Sequence, residues 1–160
     1  MKIKIFALTH KKFEVPQDKM YQPLQVGREE KEDLGYLCDN TGDNISAENC
    51  YYSELTGLYW IWKNVHTYKY VGTCHYRRYL LNEQEKIFTE AEYLELLKDY
   101  DLITTKRVVL NNSYHYGFAT NHNIHALDMT GEVIKELYPE YYDTFVPVSY
   151  THLRAHETRS

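Results

Sequence analysis

The sequence predicts an α/β fold, a mostly parallel sheet flanked by helices, and three observations carry that prediction. The opening stretch "KIKIFALTH" alternates and then runs continuously apolar from Ile3 to Leu8, the mark of a strand covered on both faces. Strand-like and helix-like stretches then alternate along the chain, the pattern that closes βαβ units around a parallel sheet. The segment Met1 to Pro147 is long enough for one domain with its own core.

The first strand ends at Thr9, His10 and Lys11. From Glu14 to Asp43 the chain carries two prolines, three glycines and scattered charge, which predicts a long irregular loop of the kind used for binding. "DNISAENCYYSELTGLYWIWKN" predicts a helix with Ser46 as its N-cap and Tyr51, Leu55, Leu58 and Trp62 as its apolar stripe. The C-terminal half of that helix is apolar nearly all round, so it is expected to be buried on several sides. A second strand follows at "YVGTCHY". Thr89, with Glu92 three residues later, predicts a helix opened by a capping box. "DLITTKR" predicts a third strand, and "NHNIHALDMTGEVIKELYPEYYDTF" a last helix with Val133, Ile134 and Leu137 on its stripe and Pro139 interrupting it.

The final thirteen residues, "VSYTHLRAHETRS", match neither period. Back-translated, Val148 to Thr158 resemble a transposase sequencing adapter read in one frame. Residues 148–160 are therefore expected to be a translated adapter scar rather than native sequence, with residues 1–147 the N-terminal part of a domain truncated at its C-terminus.

The whole chain has a formal net charge of −5; without the two arginines and one glutamate of the last thirteen residues it is −6. Such a balance excludes nucleic acid or an anionic membrane gripped by bulk charge. No apolar run reaches the roughly 20 residues of a membrane span, and the N-terminus turns polar too soon for a signal peptide. A cytoplasmic location is the expectation. Cys38, Cys50 and Cys74 show no CxxC pairing, so reduced structural thiols are expected and no zinc site is suggested. Tyrosine is the compositional outlier at 17 residues. Its rings can floor a sugar or base site, although AT-rich codons account for the excess equally well.

In parallel sheets ligands gather outside the carboxyl ends of the strands. The predicted strand ends here carry Thr9, His10, Lys11; then His75, Arg77, Arg78; then Thr104, Thr105, Lys106, Arg107. Cationic and hydroxyl groups at every end of an acidic chain point to an anion. Guanidinium forks suit phosphate oxygens, and two arginines with a histidine suit a diphosphate. Strand alternation separates Arg77 from Arg78, so one is expected on the ligand and the other on a carboxylate. A purely structural ion-pair network is the competing account. No Walker-type or GxGxxG loop is present.

"KIKIFALTHKK", "DLGYLCDNTGDNIS", "YSELTGLYWIWKN" and "YVGTCHYRRYL", in that order, resemble the family called DUF4422, found in bacterial capsular and exopolysaccharide biosynthesis proteins, over about Lys2 to Val146. The resemblance implies a GT-A-like, nucleotide-sugar-binding fold and a glycosyltransferase. Its donor would be a nucleotide sugar, most simply a UDP-sugar, and its acceptor a surface glycan or lipid-linked oligosaccharide, so peripheral work at the inner face of the membrane is compatible with it. On that reading Arg77, Arg78 and His75 neutralise the leaving diphosphate in place of an Asp-x-Asp metal site, which residues 70–82 lack. Thr9, His10 and Lys11 contact base, ribose or phosphate. Asp39, Asn40, Asp43 and Asn44 in "DNTGDN" hold Mg²⁺, Mn²⁺ or sugar hydroxyls, or simply make turns and caps. Glu54, inside an apolar helix, is a partner for Arg77 or Arg78 or else a catalytic base. His115, His122 and Asp128 form an acceptor-side patch or ordinary solvated surface. A noncatalytic nucleotide-sugar or glycan-binding module and a metal hydrolase built on the His115–Asp128 region are the rivals.

Overall fold

The computed structural model describes residues 2–106 and 112–150. It contains two compact units that meet in sequence at Thr104 and Thr105. The first is an α/β unit with strands β1 (Ile3–Thr9), β2 (Tyr21–Gln25), β3 (Leu37–Cys38) and β4 (Tyr70–His75), and helices α1 (Asn49–Tyr52), α2 (Leu55–Asn64) and α3 (Glu90–Leu96). The sheet order is β3-β2-β1-β4 and every pairing is parallel. The predicted parallel α/β architecture is thus present.

β1 is buried at every residue because it lies between two strands and under helices on both faces. Alternation divides its side chains. Phe6 and Leu8 join Leu24, Val26, Trp60 and Ile61 beneath α2. Ile3 and Ile5 join Met20, Tyr21 and Tyr93 on the α3 side, with Cys74, Tyr79, Phe88 and Ile103 packed around them. Burial there pushes the Cys74 thiol up to about 12, so it stays protonated at neutral pH.

Two strands occupy the segment expected to be an irregular loop. β2 escapes the sequence pattern because Pro23 ordinarily argues against a central strand. The hydrogen bonds explain its tolerance. Ile5 N–H donates to Met20 C=O and Val26 N–H to Thr9 C=O, so even-numbered β2 residues face β1. Gln25 C=O accepts from Asp39 N–H on the other side. The N–H that Pro23 lacks would point toward β3, which begins pairing only at Leu24.

The helix expected over 46–64 is broken. Ser46 opens a 3-10 turn (Ser46–Glu48) rather than capping a helix, and Ser53 takes a left-handed φ of 49° between α1 and α2. The buried face of α2 is Thr56, Gly57, Trp60 and Ile61, whereas Tyr51, Leu55, Leu58 and Trp62 of the expected stripe are exposed. Shape decides this. A Cβ on Gly57 would lie 2.7 Å from Val26 Cγ1 and 3.0 Å from Leu8 Cδ2, so glycine lets α2 approach the sheet. The capping box of α3 is formed as expected, with Thr89 and Glu92 exchanging hydrogen bonds. "DLITTKR" forms no strand: residues 101–106 are without regular structure, Ile103 packs into the α3-side core, and Arg107 lies outside the described residues.

The second unit holds α4 (Tyr114–Asn121), α5 (Ile124–Leu137) and α6 (Pro139–Tyr150), packed on one another. Ser113 and Asn123 cap α4 and α5 through their side chains. Pro139 ends the expected last helix and starts the next at a position where its missing N–H costs nothing. Val148 to Tyr150 continue α6, against the expectation of no regular structure there; 151–160 lie outside the described residues.

Gly57→Ala should gain about 1 kcal/mol of helix propensity yet lower stability by about 1–2 kcal/mol net, because its methyl group forces α2 off the sheet. Urea unfolding of the two proteins measures this; equal midpoints would contradict the close approach.

Candidate functional site

Parallel pairing sets Leu8 opposite His75 and so brings the carboxyl ends of β1 and β4 side by side. Thr9 is buried and keeps its hydroxyl for the turn it starts, donating to Lys11 C=O (2.5 Å) and accepting from Lys11 N–H (3.1 Å). That turn presents His10 and Lys11 to solvent. Beyond β4, Arg78 N–H donates to His75 C=O at 2.8 Å, a tight turn that leaves Arg77 and Arg78 both exposed. Among the described residues no carboxylate lies within ion-pair distance of Lys11, Arg77 or Arg78. The expectation that one arginine is tied to a carboxylate is therefore corrected: the turn exposes both.

Glu54, expected beside an arginine, pairs instead with His75, Oε1 to Nε2 at 3.5 Å. Alternation sends His75 to the α2 face, and Glu54 sits just before Leu55 at the start of α2. His75 Nδ1 accepts from Arg77 N–H at 3.1 Å, so the neutral ring carries its proton on Nε2, toward Glu54. Burial holds the His75 pKa below its ordinary value; the charges of Arg77, Arg78 and His10 act the same way, and Glu54 opposes them. His75 is a neutral donor at pH 7.

Tyr76, which the sequence reading passed over, lies at the centre of the edge. Its ring is buried and touches His10 (5.6 Å, edge-on), Phe13 (5.6 Å) and His75 (4.4 Å). Lys11 Nζ lies 5.6 Å and Arg77 Cζ 5.1 Å from its centroid. Its hydroxyl is buried with no hydrogen-bond partner among the described residues, a cost of about 1–3 kcal/mol. A tyrosine next to two arginines was the available signal.

"DNTGDN" is spent on the protein itself. Asp39 is completely buried and accepts four hydrogen bonds: from Gly27 N–H (2.8 Å), Arg28 N–H (3.1 Å), Ser46 Oγ (2.6 Å) and Thr56 Oγ1 (2.7 Å). Four donors fill a carboxylate, leaving no lone pair for a cation or a sugar hydroxyl. Asn40 donates to Glu29, and Asp43 accepts from Tyr59 and neighbours Lys63. Asn44 donates to Gly42 C=O and accepts from Ser46 N–H. Among the described residues no three His, Cys, Asp or Glu side chains are grouped to hold a metal ion, and these four do not form a cage for Mg²⁺ or Mn²⁺.

In the second unit His115 and Asp128 line a cavity of about 270 Å³ with Glu132, Tyr142, Phe145 and Ser149. His122 lies outside its lining and packs on Phe118 at 4.9 Å. Asp128 lies 3.8 Å from His125. No helix among the described residues is long and apolar enough to cross a membrane.

An all-parallel sheet whose carboxyl edge carries cations without ion-pair partners among the described residues defines a class: an α/β domain of the kind in which ligands bind outside the strand ends. The chain belongs to the family described as Domain of unknown function (DUF4422), whose profile matches residues 4–156. It is similar to the apo structure of the bifunctional glycosyltransferase WbbM, with a TM-score of 0.76 and 27% identity over 95% of this chain. The similarity covers 32% of that chain, so the present sequence spans about a third of its neighbour's length. No curated protein is matched by this sequence.

Asp39→Ala should lower stability by about 3 kcal/mol or more in urea unfolding, because four donors are left facing a buried void; a loss below about 1 kcal/mol would show the clasp to be dispensable. The His75 pKa is depressed, so its contribution is present above the ordinary value of 6.5 and lost as pH falls through the folded value. His75→Gln should therefore lose less stability than the parent between neutral pH and about pH 5. Parallel pH profiles for the two proteins would remove the assignment.

Proposed function

We propose that this chain is a glycosyltransferase domain whose carboxyl sheet edge binds the diphosphate of a nucleotide-sugar donor, most simply a UDP-sugar, for transfer to a glycan or lipid-linked oligosaccharide acceptor in surface-polysaccharide assembly. One observation carries the reading: Lys11 and Arg77, from the ends of two adjacent parallel strands, both lie over the Tyr76 ring, Arg78 follows in the same exposed turn, and among the described residues no carboxylate is within ion-pair distance of any of them. Exposed neighbouring cations without an ion-pair partner have a standing attraction for a compact polyanion. The similarity to a glycosyltransferase supports naming that anion as a nucleoside diphosphate.

In the reaction an acceptor hydroxyl attacks the anomeric carbon, the bond from that carbon to the β-phosphate oxygen breaks, and the electron pair leaves with the diphosphate. Arg77, Arg78 and Lys11 stabilise that departing charge, the part a divalent cation plays elsewhere. The neutral His75 directs its Nε2 N–H at Glu54 and so orients that carboxylate. The acceptor proton is taken by Glu54, so oriented, or by a base outside this cluster. Thr9, through its hydroxyl turn, positions His10 and Lys11 toward the nucleotide.

Titration calorimetry with UDP tests this directly. Arg77→Ala and Arg78→Ala should each weaken UDP about tenfold or more and leave uridine unchanged, and a chelator should leave UDP affinity unaltered. Absence of UDP binding by the parent protein would sink the reading. Binding of UDP-sugars with no release of UDP in the presence of glycan acceptors would favour the noncatalytic module.

A further inference from the structure

We propose that Tyr76 is the positioning residue of the cationic edge: its ring face seats Lys11 from the end of β1 and Arg77 from the end of β4, and so makes one diphosphate site out of two strand ends. This rests on the diphosphate reading above and adds the group that organises the site.

The backbone of Tyr76 is fixed, because its N–H donates to Leu8 C=O at 3.2 Å and extends the β1–β4 ladder one residue beyond the strand. The ring is fixed as well, being 5% exposed and enclosed by His10, Phe13 and His75. Both cations lie within the range in which a ring quadrupole attracts them, Lys11 Nζ at 5.6 Å and Arg77 Cζ at 5.1 Å. Neither has a carboxylate partner among the described residues. Two long, exposed, like-charged side chains would otherwise repel one another and sample many rotamers, and an arriving anion would bear the cost of ordering them. An aromatic face solves this as a carboxylate cannot: it attracts the cations without neutralising them. It leaves their N–H donors free for phosphate oxygens. The unpartnered hydroxyl fits the same account, since the face is what the site uses and the hydroxyl is carried along.

The test compares the parent protein with Tyr76→Phe and Tyr76→Leu, using inorganic pyrophosphate, UDP and uridine as probes. Tyr76→Phe keeps the face and should bind pyrophosphate and UDP within about twofold of the parent, with an unfolding midpoint equal or higher. Tyr76→Leu loses the face and should weaken both about tenfold, with uridine unaffected. Leu-variant affinities equal to the parent's overturn the inference, as does a Phe variant as weak as the Leu variant, which would assign the effect to the hydroxyl. A parent that binds neither pyrophosphate nor UDP brings down the diphosphate reading itself. Should Tyr76→Leu fail to fold, proton NMR of the parent decides. Ring current should move the Lys11 ε-methylene and Arg77 δ-methylene protons upfield of random-coil positions, and unshifted resonances overturn the proposal.

Discussion

The parallel register of β1 against β4, with Leu8 opposite His75, is the constraint on which the rest of the site depends. In a parallel pair both chains leave the sheet at the same edge, so the residues after Thr9 and after His75 must become neighbours. An antiparallel pairing of the same two segments would place Lys11 and Arg77 at opposite ends of the strands. The register is itself enforced by packing, since a slip of one residue would exchange Phe6 and Leu8 with Ile3 and Ile5 between two cores shaped for the other set. Gly72, opposite Ile5, fits this pairing: a Cβ there would stand 3.3 Å from Ile5 Cγ1.

A second constraint acts at the other end of the sheet. The Asp39 carboxylate leaves the end of β3 and gathers the turn after β2, the 3-10 turn at Ser46 and the first turn of α2. It thereby decides where α2 begins. Glu54 precedes that start and meets His75, so a buried carboxylate beyond β3 helps place the partner of an imidazole at the end of β4. Satisfied networks of this kind specify a single arrangement because each missing bond would strand a buried donor.

Much of this architecture was legible in the sequence where the signal is local. β1 and β4 announced themselves by composition and alternation, and the helix at Thr89 by a three-residue spacing that the structure fills bond for bond. β2 was not legible, because the permission for Pro23 comes from which neighbour the missing N–H faces, a property of sheet order. The buried face of α2 was misread because Leu55, Leu58 and Trp62 are more apolar than Thr56 and Gly57. The sheet selected the smaller residues for closeness and for a hydroxyl aimed at Asp39. Asp39 had no local signal at all: its partners lie at 27, 28, 46 and 56. At the candidate site the cations were readable as types, but not the want of an ion-pair carboxylate among the described residues, nor the placing of Lys11 and Arg77 over the Tyr76 ring. Both belong to the turns after β1 and β4.

The local charge at that edge also removes the tension between an acidic chain and the anionic ligand proposed for it. A net charge of −5 spread over the molecule repels extended polyanions, whose many phosphates sample the whole surface. A diphosphate is smaller than the screening length of about 8 Å at physiological salt, so it responds to the few charges nearest to it. Lys11, Arg77 and Arg78, offset in part by Glu54 against His75, therefore set the field at the sheet edge, and acidic residues beyond that distance set it elsewhere. On the proposed reading the same arrangement would admit a compact diphosphate and turn away nucleic acid, the selectivity following from the length over which charge is felt rather than from the shape of any wall.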